Sequence, residues 1–374
     1  MFIITNRRVD DDPKVKGFKK IGDKPNPKGP NELRLVEAIK SSRGWKITIL
    51  PDKVDDSMMQ KASLTPNVAP DGTILPVYAS QYAAAQVLGV ANPRKKGVKG
   101  KNVLFFVHGF NNDFEAVLER MDGFAKTYGV EVIGFSWPAN GGGIRGALSY
   151  KSDKRDARAS IGALDRCLAI MYKYLNEYRK EFIDDKIKEI CKKYPRNAER
   201  RDDLITKLSN QKCPFKITLV LHSMGNYLYK HLLKSSVYRG HHLLFDNVVL
   251  VAADTNNKEH AQWIDKIQCR NRTYITINEN DSALGASRIK AGEEQLARLG
   301  HYPYKLNSQQ AVYVDFTDAP RVKKSHAYFE GSAVKNKSNT AVKTFFHRAF
   351  NGELAETDVC YHASSNLYKF HKSK

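Results

Sequence analysis

The strongest constraint in this 374-residue sequence is the alternation of short, continuously apolar runs with stretches of helical periodicity. Runs rich in β-branched and aromatic residues fall at 2–5, 45–50, 102–107, 130–135, 217–221, 248–252, 273–277 and 311–316. Each is bounded by turn-forming residues, which is the pattern of a strand. Helical spacing occupies 81–88, 113–128, 153–178, 225–235, 258–268 and, after the last strand, 340–350. Strands that are apolar throughout, rather than alternately, are buried on both faces. The pattern therefore predicts an α/β fold: a mostly parallel, eight-stranded sheet with helices on both sides.

At 41% hydrophobic and 27% charged, the chain has ample material for a core, which excludes a wholly disordered protein. Residues 1–374 read as a single large α/β domain with two loop-like segments, 10–30 and 92–101, rich in Lys, Pro, Gly and Asp or Asn. Residues 178–216 form a charged helical insert, one or two helices interrupted at Tyr194-Pro195-Arg196. Its place just before the strand at 217 makes it a candidate cap, although a charge run equally describes a solvated helix pair with no role in binding.

Sixty-one Lys and Arg against forty Asp and Glu give a net charge of +21, which draws the protein to polyanions: nucleic acid, anionic lipid headgroups or acidic substrates. The five cysteines, Cys167, Cys191, Cys213, Cys269 and Cys360, are scattered and never spaced as C-x-x-C, so neither a zinc site nor a disulfide framework is indicated. Only Met1 to Ile4 precede the polar run beginning at Thr5, too short for a signal-peptide core, and no run approaches the ~20 apolar residues of a membrane span. The expectation is a cytoplasmic protein.

The most informative stretch is Ile217-Thr-Leu-Val-Leu-His-Ser-Met-Gly-Asn226, an apolar strand that stops at His222-Ser-Met-Gly225 and passes at once into a helix. This is the strand–turn–helix context of a nucleophile elbow, with Ser223 as nucleophile. Gly is usual at the first position of that motif, and Leu221 stands there, so the turn must find extra room. Upstream, a second apolar strand ends in His108-Gly-Phe-Asn-Asn112, where the other oxyanion donor is expected. The backbone N–H groups of Phe110 and Met224 are the natural pair for a tetrahedral oxyanion. His108 is read as structural, its ring bonding the loop, because the general base of such a site comes later in the chain.

Chain order places acid and then His after the Ser. Asp281 follows the strand at 273–277, and His326 follows the strand at 311–316. All three residues then lie just past strand ends, on the edge of a parallel sheet where sites collect. Asp254, ending the preceding strand, is the alternative acid, and His301, His347 and His362 are the other downstream histidines of note.

On six segments the chain resembles a bacterial family of uncharacterised α/β-hydrolases described as lipase- or esterase-like: Phe2-Ile-Ile-Thr-Asn-Arg7, His108-Gly-Phe-Asn-Asn112, Phe135-Ser-Trp-Pro138, His222-Ser-Met-Gly-Asn226, Asp281-Ser-Ala-Leu284 and Ser325-His-Ala-Tyr328. The resemblance spans nearly the whole length and implies the α/β-hydrolase fold, with the family's Ser, Asp and His carried by Ser223, Asp281 and His326. Departures are Leu221, the charged insert and the basic end Tyr368-Lys-Phe-His-Lys-Ser-Lys374. The implied activity is that of a serine hydrolase acting on a carboxylic ester, lipid esters among the candidates, with neither metal nor organic cofactor required and with an anionic membrane surface as a candidate partner. The competing reading is a polyanion- or nucleic-acid-binding protein on an inactive hydrolase scaffold, contacting phosphates through Arg94-Lys-Lys96, the insert and the C-terminus. Against it stand the absence of a recognised nucleic-acid motif and the interleaving of acidic with basic residues through the insert.

Overall fold

The computed structural model describes residues 1–10, 12–93, 95, 97–139, 150–209, 213–236, 243–288, 296–335 and 340–370. Arg94, Lys96 and the last four residues of the basic C-terminus lie outside that set. One large sheet is built from β1 (Phe2–Thr5), β2 (Arg34–Ser41), β3 (Gly44–Ile49), β4 (Val103–Val107), β5 (Glu131–Ser136), β6 (Ile217–His222), β7 (Phe245–Val251), β8 (Cys269–Ile277), β9 (Ala311–Asp315), β10 (Cys360–His362) and β11 (Leu367–Lys369). Their spatial order is β10-β11-β9-β8-β7-β6-β4-β5-β1-β2-β3. The strands from β11 to β1 in that order run parallel, while β2, β3 and β10 are antiparallel additions at the two edges.

The predicted sheet was mostly parallel, which holds, but it has eleven strands rather than eight. Segment 45–50 is an antiparallel edge strand, and the three unforeseen strands are β2, β10 and β11. The physical reason is their position. In β2 only Val36 and Ala38 are buried, and charged Arg34, Glu37 and Lys40 recur every third residue, so no apolar run marks it. Pairing with β1 and β3, rather than composition, makes it a strand. In β11 only Leu367 is buried.

Helices cover both faces: α1 (Ala79–Ala91), α2 (Phe114–Tyr128), α3 (Tyr150–Ala159), α4 (Ile161–Lys193), α5 (Ala198–Ser209), α6 (Met224–Lys234), α7 (Ser282–Ser287) and α8 (Thr340–Phe350). The period of two along the central strands sorts their side chains cleanly. Phe105, Val107, Leu219 and Leu221 join a core with α1, α3, α4 and α6. Leu104, Phe106, Val220 and Val249 join another with α2 and α8. Two cores back to back explain why these strands carry continuous apolar runs.

The helical pattern expected at 258–268 yields only the turn Ala261–Ile264. The insert is less separate than its charge implied. Helix α4 runs unbroken through Lys193, with its buried residues ending at Leu175, and α5 begins at Ala198. Within the loop-like segment 10–30, a 3₁₀ turn (Gly17–Lys20) leads into a short strand (Ile21–Pro25) paired antiparallel with Arg7–Val9. Among the described residues no helix is long and apolar enough to cross a membrane.

Candidate active site

Ser223 sits between β6 and α6 with φ 53° and ψ −121°, a conformation that L-residues avoid at a cost of about 1–3 kcal/mol. The surroundings hold it there. Its N–H donates to the Val251 carbonyl at 3.0 Å, and its own carbonyl accepts from the Asn226 amide N–H at 3.1 Å and the Asn226 side chain at 3.0 Å. Asn226 also donates to the Leu221 carbonyl at 3.1 Å, closing the turn on both sides of the serine. Close approach then demands glycine at 225: a Cβ there would lie 2.7 Å from the Val107 oxygen and 2.8 Å from the His108 oxygen. Leu221, where the usual motif has Gly, is fully buried in the core shared with α1, α4 and α6.

The loop after β4 packs against the serine just as tightly. A Cβ on Gly109 would stand 2.6 Å from Ser223 Cβ and 3.2 Å from Ser223 Oγ, so only glycine lets the two turns meet. His108 is fully buried and both ring nitrogens are committed: Nδ1–H donates to the Gly109 carbonyl at 2.8 Å, and Nε2 accepts the Trp137 N–H at 3.2 Å. Its ring stacks on the Trp137 indole at 5.1 Å. Burial first, and then the Arg7 charge, push its pKa down to about 3, which keeps it neutral and structural, as the sequence reading expected.

Asn112 donates to the carbonyls of Gly109 at 3.2 Å and Phe110 at 2.7 Å. Asn112 is in turn held by Arg7, which donates to its carbonyl at 2.8 Å, and by Arg120, which donates to its Oδ1 at 3.2 Å while pairing with Glu330. Arg7 is itself buried, and desolvation lowers its pKa to about 10. Phe110 thus lies in a braced loop beside Ser223, and Met224 opens α6, where the first N–H groups lack intrahelical acceptors.

Asp281 follows β8 and caps α7: its Oδ1 accepts from the amides of Ala283 at 2.9 Å and Leu284 at 3.0 Å. Its other oxygen accepts the Nδ1–H of His326 at 2.7 Å. That bond fixes the His326 tautomer and leaves Nε2 with its lone pair. The His326 loop is tied down by three residues. Asn278 donates to the carbonyls of Lys323 at 3.0 Å and Ser325 at 3.1 Å, the buried Tyr328 hydroxyl meets Thr276 at 2.5 Å, and His222 Nε2–H donates to the His326 carbonyl at 3.1 Å. The His222 and His326 rings are 4.8 Å apart, which brings the His326 loop against the residue adjacent to Ser223. His222 is buried and its pKa is pushed well below the ordinary histidine value, chiefly by desolvation and then by His326.

The alternative acid has other partners. Asp254 receives Arg298 Nε at 3.1 Å, the Ser287 hydroxyl at 3.1 Å and the Tyr150 hydroxyl at 2.9 Å. Its amide donates to the Ser223 carbonyl at 3.3 Å, so it supports the elbow from below. His347 is exposed on α8, which covers the other face, and His362 is exposed on the edge strand β10. His301 is buried, and desolvation lowers its pKa. Sequence reasoning overlooked His222 and Asn278, whose work consists of hydrogen bonds to backbone carbonyls and leaves no signature in residue spacing.

Among the described residues no group of three or more His, Cys, Asp or Glu side chains is arranged to hold a metal ion. No curated protein and no solved structure matches the chain. A family model does, over residues 90–183 and 179–339, a span that takes in the Gly109 loop, the elbow, Asp281 and His326. Its description is alpha/beta hydrolase of unknown function (DUF900), and with most of its length matched the chain belongs to that family.

Proposed function

We propose that the protein is a serine hydrolase that cleaves a carboxylic ester through an acyl-enzyme on Ser223. The observation that supports this most strongly is the 2.7 Å bond from His326 Nδ1–H to a buried Asp281, which leaves Nε2 as the basic nitrogen on the loop that contacts His222. In this reading Nε2 takes the Ser223 proton as Oγ attacks the carbonyl carbon, and Asp281 holds the ring and stabilises the imidazolium. The oxyanion receives the N–H groups of Phe110 and Met224. The proton then passes to the departing alcohol, and a water repeats the sequence to free the acid.

The strained backbone at Ser223 supports the assignment, since such outliers cluster at reactive centres. Lipid esters are the favoured class within this proposal, because a net charge of +21 draws the protein to anionic bilayers, with roughly 1 kcal/mol for each well-placed Lys or Arg. The test is labelling by a fluorophosphonate, followed by hydrolysis of nitrophenyl esters of graded chain length. Ser223→Ala is expected to lose labelling and to drop turnover on the order of 10⁶-fold. A variant that labels as fast as the parent overturns the assignment.

A further inference from the structure

A cavity of about 550 Å³ opens on the face of the sheet that carries α1 and α4. It is separate from the site above, since none of Ser223, Asp281, His326, Phe110 and Met224 lines it. Its floor is a diagonal row of strand residues: Ile217 on β6 is in register with Val103 on β4, Ile133 on β5 lies two residues beyond the partner of Val103, Ile4 on β1 lies two residues beyond the partner of Ile133, and Leu35 on β2 is in register with Ile4. Its walls are apolar positions of α1, such as Ala84 and Val87, and of α4, such as Ile170 and Met171. The volume falls within the roughly 300–1,000 Å³ of small-molecule sites.

The shape is decided by the strands it crosses. From β6 to β2 is four strand spacings, and the row advances four residues along the strands, so the floor runs diagonally over roughly 23 Å at about 4.8 Å per spacing and 3.3 Å per residue. An apolar floor of that length suits an extended aliphatic chain. Interiors are close-packed, and an apolar slot of this length left unfilled forfeits the dispersion contacts of every wall residue.

Its polar end lies at β2. Arg34 is engaged there by Glu32 at 2.5 Å and stands 3.9 Å from Asp52. The fourth charged group at that end, Arg166 on α4, is exposed and acts on Glu32 only through its field; among the described residues it makes no hydrogen bond or ion pair. We propose that this slot is a binding site for a long-chain fatty acid, its aliphatic chain lying across the strands between α1 and α4 and its carboxylate paired with Arg166. The proposal is independent of the hydrolase reading.

Displacement of a fluorescent fatty acid tests it, with saturated acids of ten to eighteen carbons as competitors and the matching alcohols beside them. The protein carries a phosphonylated Ser223, or Ser223→Ala if the phosphonate does not react. Affinity is expected to rise about fourfold per methylene and then level off once the slot is full. Arg166→Gln, an exposed change that leaves the core intact, is expected to weaken the acids at least fivefold and the alcohols hardly at all. Ala84→Phe, which fills the slot, is expected to weaken both at least tenfold. Failure of the acids to displace the probe at any length, a binding constant blind to chain length, or equal effects of Arg166→Gln on acids and alcohols would each overturn the proposal.

Discussion

Lowering the pH from 7.5 to 5 is expected to cost the folded protein about 2 kcal/mol through His108 alone. Burial pushes this ring from its ordinary 6.5 to about 3 in the folded state. Between those values the unfolded chain binds a proton that the folded chain refuses, so stability falls as the pH falls, by up to about 1.4 kcal/mol for each pH unit. At pH 5 the unfolded ring is almost wholly charged and the folded ring almost wholly neutral, which gives the figure of about 2 kcal/mol; at pH 7.5 the contribution has vanished. The assay is urea unfolding followed by circular dichroism at both pH values, on the parent and on His108→Asn, which retains an amide donor for the Gly109 carbonyl but cannot titrate. His222, His260 and His301 are also lowered, chiefly by burial, but they are common to both proteins and cancel in the comparison. The parent is expected to lose about 2 kcal/mol more than the variant over this range. A difference between the two proteins that stays constant to within about 0.5 kcal/mol refutes the claim that this ring is held neutral in the loop carrying Phe110.

The two acids near the elbow should separate by phenotype. Asp281→Asn is expected to reduce turnover about 10⁴-fold with the fold retained, because Asn still caps α7 but no longer accepts the His326 proton donor. Asp254→Asn leaves the buried Arg298 guanidinium without its carboxylate, so the expected effect is a stability loss of about 3–5 kcal/mol in thermal or urea unfolding. The opposite pattern would exchange their roles. Gly225→Ala drives a methyl against the carbonyl oxygens of Val107 and His108, both backbone, and is expected to destabilise by about 1–3 kcal/mol and to abolish ester turnover. A melting temperature equal to the parent's would mean that the end of β4 yields freely.

The parallel arrangement was legible because double-sided burial imprints a continuous apolar run. Strands β4 and β6 send odd-numbered apolar residues into one core and even-numbered ones into the other, and the apolar run from Val248 to Val251 of β7 alternates between the same two cores with the opposite parity. Strands β2, β10 and β11, at or next to the two ends of the sheet, lack that imprint, because much of their surface meets solvent and their identity depends on which neighbour supplies the hydrogen bonds. The same distinction runs through the site. Chain order alone pointed to Asp281 and His326, and their hydrogen bond is present, yet order could not separate Asp281 from Asp254: both follow strand ends, and their roles differ only by partner. Sequence determined which residue types stand at the ends of which strands, since burial and turn chemistry act locally on the chain. Tertiary structure alone decided which of them face one another. Contacts such as His222 to the His326 carbonyl, Arg7 to the Asn112 carbonyl, or the row of residues flooring the slot join segments tens to hundreds of residues apart, and no local energy term records them.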